Sequence, residues 1–256
     1  MKKMSRIFTL CILFTGFFTV NAIAQEANTM PQNFLVMEEF VEPANMQAFW
    51  QVQQKAVDLW HKYELDLSIY TYRTDESSFY WIVPIRNFGG IDEVFKKANE
   101  VTTKMKGDGF DGDKEFRELS TTQSSVIHWS EELSYHPNGV RDQADNRYCE
   151  WLFVSLLSGH EKEAAEAVKA YKTFFDSIDE SDDWDCYTVM LGYDSPMWVF
   201  MWRDKSALAM REHDKELYDK YKDKLHELYM GVGKHVRKTE SRSGWFMPEW
   251  SLYKKQ

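Results

Sequence analysis

Phe79-Tyr80-Trp81-Ile82-Val83 decides the fold class of this chain of 256 residues. Successive side chains of a strand point to opposite faces, so Phe79, Trp81 and Val83 share one face and Tyr80 and Ile82 the other. A strand with helices on one side and water on the other alternates apolar with polar residues. This one is apolar on both sides. Met197-Trp198-Val199-Phe200-Met201-Trp202 behaves the same way, with Met197, Val199 and Met201 opposing Trp198, Phe200 and Trp202. Both faces of both strands are therefore expected to be buried. Helices cover one face. A second sheet, from the other half of the chain or from a partner subunit in a homo-oligomer, must cover the other.

Each strand closes a hairpin, and the two hairpins echo each other. An apolar run at 65–72 precedes the first and a run at 184–191 precedes the second. Asp66 and Asp75 find counterparts in Asp185 and Asp194 at a spacing of 119; after a one-residue deletion, Ser77 and Tyr80 align with Ser195 and Trp198. The flanks agree in order. In the first half, 34–41 reads as a strand. A helix is expected over 43–63, opened by Pro43, whose missing N–H would be unpaired there anyway. A second helix is expected over 91–105, with Val94, Phe95, Ala98, Val101 and Met105 on or near one stripe, and 125–129 begins the last strand. In the second half, 150–156 reads as a strand and 161–178 as a helix carrying Ala164, Val168, Tyr171 and Phe175. A longer helix over 206–229, capped by Ser206, turns Met210, Leu217, Tyr221, Leu225 and Leu228 inward, and 243–253 closes the sheet. Residues 137–147 form a polar linker.

Strand, helix, strand, strand, helix, strand, read twice, resembles the ferredoxin-like βαββαβ unit in tandem, over 33–136 and 147–256. The chain thereby resembles the dimeric α+β barrel superfamily, in pattern rather than through a motif. The resemblance implies an α+β fold with antiparallel sheets packed face to face. It also bears on Cys149 and Cys186. The first and second strands of such a unit flank the third, so they lie about 9.5 Å apart, beyond the ~7 Å between alpha carbons that a disulfide spans. Both thiols are expected to be free.

The N-terminus reads as a secretory leader. Lys2, Lys3 and Arg6 precede an apolar stretch over 7–20, and Ala22-Ile23-Ala24 supplies small residues for cleavage. The apolar stretch is shorter than the ~20 residues of a membrane span. Loss of 1–24 is expected to yield an exported chain, periplasmic or secreted. It removes those three bases and no acid, taking the formal charge from −10 to −13. Such a field repels phosphate backbones and anionic lipid, so neither nucleic acid nor, after cleavage, a membrane is the expected partner. Lys234, His235, Arg237 and Lys238 form the one basic cluster, which reads as a solvated helix end.

Motifs for chemistry are sparse. None of the seven histidines has H-x-x-x-H or H-E-x-x-H spacing, and neither Cys149 nor Cys186 has a C-x-x-C partner, so local sequence supports no transition-metal site. His128, between Ile127 and Trp129, and His213, between Met210 and Leu217 on a helix stripe, are placed to face an interior. Some barrels of the superfamily, chlorite-dismutase-like and dye-peroxidase-like enzymes among them, bind haem through one helix histidine, so the resemblance makes His213 the position to test for haem. The acidic stretch 108–115 lacks the glutamate that an EF-hand needs at its twelfth position; like 176–185, it reads as a solvated loop. No nucleophile elbow or phosphate loop is present. Aromatic residues make up 16% of the chain and either fill a core or line a cavity. Trp198, Phe200 and Trp202, with Tyr80, Tyr187, His128 and His213, are the candidate lining. The leading expectation is an exported protein holding a small apolar or aromatic ligand between its sheets, with the cofactor left open. The alternatives are a haem- or oxygen-dependent oxidoreductase and a purely structural subunit.

Overall fold

A computed structural model describes residues 32–139, 142–178 and 182–253. The leader lies outside them, as does part of the second acidic stretch. Eight strands are formed: β1 (Asn33–Val41), β2 (Tyr70–Thr74), β3 (Ser78–Ile85), β4 (Ser120–Trp129), β5 (Tyr148–Leu156), β6 (Asp185–Leu191), β7 (Met197–Asp204) and β8 (Val236–Phe246). The helices are α1 (Met46–Lys62), α2 (Gly90–Gly107), the short α3 (Gly112–Glu115), α4 (Glu161–Ser177) and α5 (Ala207–Gly233). Ser206 caps α5, accepting the Ala209 N–H at 3.1 Å, which satisfies one of the donors a helix start leaves free. The expected order is present in both halves. The boundaries differ most at β4 and β8, which begin at Ser120 and Val236. Their first halves are mostly exposed, polar ribbon, so no apolar signal marks them.

The sheet arrangement corrects the expectation of two stacked layers. The strands form one closed antiparallel barrel in the order β1-β3-β2-β8-β5-β7-β6-β4. Two four-stranded layers are recognisable, but they curl and join along both edges, β2 to β8 and β4 to β6. Open edges expose unpaired N–H and C=O groups, and closure of a twisted sheet removes them. Gly244 makes one seam feasible: a Cβ there would collide with the Arg73 carbonyl of β2.

The doubly apolar hairpins are buried on both sides, as their sequence demands. Phe79, Trp81 and Val83 face outward into a core with Phe49, Val57 and Val94 of α1 and α2 and with Trp250. Tyr80 faces the barrel interior among Tyr72, Trp151, Phe153, Val199 and Met201. The second covering layer is thus supplied by the chain itself. In β7 the assignment of faces is the reverse of the expected one. Trp198, Phe200 and Trp202 pack outward with Ala164, Val168, Phe175 and Leu217 beneath α4 and α5, while Met197, Val199 and Met201 point inward. Aligning Tyr80 with Trp198 was one residue out of phase, and a one-residue slip moves every side chain of a strand to the other face. The match of Asp66 with Asp185 also fails in environment: the Asp66 side chain is exposed on Lys97, whereas Asp185 is buried.

β7 lies between β5 and β6. Cys149 belongs to the interior cluster and Cys186 to the outer core, and both are free. Among the described residues, no helix is long and apolar enough to cross a membrane.

Candidate functional site in the barrel interior

The inward-facing residues form a largely aromatic column with ionised groups at each end. At one end Arg203, near the finish of β7, pairs with Asp185, the first residue of β6, at 2.5 Å. Asp185 also accepts the Trp129 indole N–H at 2.8 Å and the His136 Nε2 at 3.1 Å. The other ring nitrogen of His136 lies 3.6 Å from Asp183. The charge of Arg203 partly offsets the rise that burial gives the Tyr72 and Tyr187 hydroxyls, and the Tyr72 hydroxyl donates to Gln143 at 2.7 Å. Burial alone would lower the pKa of His136, but its bond to Asp185 and the nearby carboxylate of Asp183 outweigh that and raise it to about 9. Burial alone would raise the pKa of Asp185, but the charge of Arg203 and the bond from His136 hold it well below the usual carboxylate range. Burial pushes the Cys149 thiol up to about 12, so it stays protonated.

At the other end sits Glu38 of β1, 1% exposed. It is bonded by Arg242 of β8 and accepts the Tyr193 hydroxyl at 2.9 Å. Arg242 also donates to the Tyr80 hydroxyl, and to Glu240 from two nitrogens at 2.7 and 2.9 Å. Its guanidinium lies 4.9 Å above the Phe153 ring, a cation–π geometry. Tyr193 comes from the β6–β7 turn, and its ring stands 5.8 Å from that of Phe153. The turn presses against β4 through Gly192, where φ is +107° and a Cβ would lie 2.5 Å from the Ser124 carbonyl oxygen; only glycine suits both conditions. Burial raises the pKa of Tyr193 and Tyr80, with the charge of Glu38 adding to it, so both hydroxyls remain donors at neutral pH. Between the ends, Trp151 touches Tyr72 at 5.6 Å and Tyr80 at 5.5 Å between ring centroids.

No family model matches the sequence, and no curated protein matches it. Among solved structures, the chain is similar to an anthrone oxidase-like protein, with 10% identity and a TM-score of 0.58 over 84% of this chain and 92% of that one. It is similar to a proposed monooxygenase from Lactobacillus acidophilus NCFM, with 13% identity and a TM-score of 0.50 over 83% and 93%. It is also similar to a double mutant of chlorite dismutase from Candidatus Nitrospira defluvii, with 9% identity and a TM-score of 0.51 over 87% and 94%. The shared fold is an antiparallel α+β barrel. At such identities the likeness establishes the fold alone.

Within this α+β barrel, the residues singled out from sequence separate into three places. Tyr80 and Tyr187 line the interior. Trp198, Phe200 and Trp202 do not, because they fill the layer between β7 and the helices. His128 bonds through Nδ1 to Asn33 of β1 at 2.9 Å. His213 lies on α5, outside the barrel, with its Nε2 buried. A haem on His213 would need a flat space of porphyrin size beside an open nitrogen. That layer is instead occupied by Leu217, Tyr221 and Leu225 against Trp198, Phe200 and Trp202, with the Phe200 and Trp202 rings stacked at 5.9 Å. The residues present do not fit haem there. Among the described residues, no group of three histidine, cysteine or carboxylate side chains is arranged for a metal. In the acidic stretch 108–115, Asp108 pairs with Lys62, and Lys106 lies 3.2 Å from both Asp111 and Asp113. A cleft of about 580 Å³ opens outside the barrel beside α2 and the C-terminal segment, lined by residues that include Arg86, Glu93, Lys97 and Tyr253; its charges are mixed and converge on no point.

The residues that build the interior site were mostly not foreseen. Glu38 had the one usable signal, a carboxylate inside a mostly apolar stretch that reads as a strand. Arg203 and Arg242 stand near polar strand ends, His136 in a turn, and Tyr193 in a hairpin tip. Nothing in local spacing marks them as neighbours.

Proposed function

We propose that the chain is an exported protein that binds a small phenol-like aromatic molecule at the Glu38 end of its barrel. The observation that carries this reading is Tyr193. A hairpin turn inserts its own phenol between Glu38, which accepts the hydroxyl, and Phe153, which packs on the ring. A turn is among the segments that open most easily. With Tyr193 swung out, a socket remains that has aromatic walls and a few convergent polar groups, Glu38, Arg242 and Tyr80, as small-molecule sites have. A buried ion pair adds little net stability over apolar packing, which fits retention of this one for recognition. The aromatic lining expected from sequence is thereby moved from Trp198, Phe200 and Trp202 to the inward faces of β3, β5 and β8. Export rests on the leader over 1–24, and the matching order of elements in the two halves is read as a duplication.

The test is a titration of the mature chain with 2-naphthol, followed by tryptophan fluorescence and calorimetry. Saturable 1:1 binding is expected, weakened about tenfold or more by Glu38→Gln, which removes the charge-assisted acceptor. Absence of saturation up to the solubility limit would end the proposal.

A second reading, an oxygen-dependent oxidoreductase, is favoured by one pairing. Glu38 can take a proton from a bound phenol or carbon acid, and Arg242 can hold the anion so formed. The anthrone oxidase-like and monooxygenase neighbours support the choice of anthrone as probe. With dioxygen as oxidant, anthrone gives anthraquinone and water. Oxygen uptake matched to anthraquinone formation, and lost in Glu38→Gln, would favour this reading; binding without uptake leaves the first.

A further inference from the structure

We infer that His160 and His235 form a surface site for one divalent transition-metal ion. The two residues are far apart in sequence, at the β5–α4 and α5–β8 turns, and their Nδ1 atoms face each other at 3.1 Å. The ring centroids are 5.4 Å apart. Two imidazole nitrogens at about 2.0–2.1 Å from a tetrahedral zinc stand about 3.3–3.4 Å apart. Around a square-planar copper or nickel, neighbouring ligand nitrogens stand about 2.9 Å apart. The observed spacing falls between the two. Two neutral imidazoles satisfy each other only while one Nδ1 carries a proton. A bound ion takes the place of that proton and of the hydrogen bond it makes.

The pair is held in register by the backbone. Leu157 donates its N–H to the His235 carbonyl at 2.8 Å and accepts the His160 N–H at 3.0 Å, so one residue ties both histidines. His160 also accepts the Ala164 N–H at 2.9 Å in the first turn of α4, and the His235 N–H bonds the Val232 carbonyl at 2.9 Å at the end of α5. Gly159, with φ at +83°, makes the tight turn that delivers His160. The ordering that metal binding usually requires is therefore already in place. In sequence, Glu161 and Lys234 flank the two histidines with opposite charges. No third histidine, cysteine or carboxylate is grouped with the pair among the described residues, so water completes the coordination and the expected affinity order is copper above nickel and zinc.

An ion here would clasp the start of α4 to the start of β8. Binding to the folded state alone would then raise the melting temperature. The experiment uses the mature chain without a polyhistidine tag, titrated separately with Zn²⁺, Ni²⁺ and Cu²⁺ by calorimetry, with melts followed by circular dichroism. One ion per chain and a rise in melting temperature are expected. His160→Ala and His235→Ala should each weaken binding about tenfold or more, since either loss ends chelation, and the double variant should lose the remaining one-ligand binding as well. His226→Ala, a control on α5 outside the pair, should bind as the parent does. Without metal, the variants should melt within a few degrees of the parent; His235→Asn serves if His235→Ala does not. Failure to bind any of the three ions at millimolar concentration, or single variants that bind like the parent, would overturn the site.

Discussion

At one end of the barrel Arg203 meets Asp185, and at the other Arg242 meets Glu38; both carboxylates are buried. Their surroundings differ. Besides Asp185, the groups acting on the charge of Arg203 include Tyr72, Tyr187 and Cys149, all uncharged at neutral pH. Asp185 in turn serves His136 and Trp129 as well. Arg242 instead shares itself between buried Glu38 and Glu240 at the rim, with Glu76 at 3.8 Å. The first end sets Arg203 and His136 against Asp185 and Asp183, and the second has anions in excess and a phenol that can leave. Saturation marks a structural clasp, and redundancy beside a movable turn marks a place where a ligand can be accommodated.

Removing the anion at the Arg203 end tests this most severely. In Asp185→Asn the guanidinium stays charged, because arginine cannot shed its proton at accessible pH, and it stays buried. A loss of about 3–5 kcal/mol is expected from urea unfolding. A loss below about 1 kcal/mol would mean that solvent or a shifted neighbour already compensates Arg203, and the contrast between the ends would fail.

The same end should weaken in alkali. The pKa of His136 is about 9 in the folded chain against about 6.5 when unfolded. A group raised on folding stabilises fully below its unfolded pKa and loses that contribution as pH climbs through the folded one. At most about 3 kcal/mol should therefore be present near pH 6 and gone near pH 10. Burial also raises Tyr72, Tyr187 and Cys149, and Cys149 starts to lose its own contribution above its unfolded pKa of about 8.5, so the share of His136 is read from the difference between parent and variant. Unfolding curves for the parent and His136→Gln should differ near pH 6 and converge near pH 10. Curves that stay parallel would remove His136 from the clasp.

How much of this was legible beforehand follows from what each signal measures. Double-sided burial of Phe79–Val83 was readable because periodicity reports exposure directly. Closure into a barrel was not, since the edge pairings of β2 with β8 and β4 with β6 join segments distant in sequence, and the polar starts of β4 and β8 hide their strand character. Which face of β7 points inward was lost to a one-residue slip between Tyr80 and Trp198. The site was least legible. Glu38, Arg203, Arg242, His136 and Tyr193 acquire meaning only through neighbours on other strands, and the one histidine pair that geometry makes chemically interesting, His160 with His235, is split by a whole α+β segment.

Glu38→Gln is the counterpart of Asp185→Asn at the open end, and it should cost much less. Arg242 keeps both bonds to Glu240, and the amide still accepts from Tyr193. About 1 kcal/mol is expected, the scale of one exchanged hydrogen bond, measured under the same unfolding conditions. A cost equal to that of Asp185→Asn would show that the two ends are energetically alike, and that exposure of the rim carboxylates does not matter.

The smallest change carries the most discriminating sign. Tyr193→Phe keeps the ring on Phe153 and deletes only the hydroxyl that Glu38 accepts. Stability should fall by about 1 kcal/mol. If Tyr193 competes with a ligand for the same socket, however, loosening it raises the fraction of open barrel, and apparent affinity scales with that fraction. The same 1 kcal/mol should therefore strengthen 2-naphthol binding by about fivefold. A weaker protein that binds more tightly is hard to obtain from any role in which Tyr193 merely packs. If the two quantities fall together, Tyr193 is part of the wall rather than a plug, and Glu38 has no vacancy to offer.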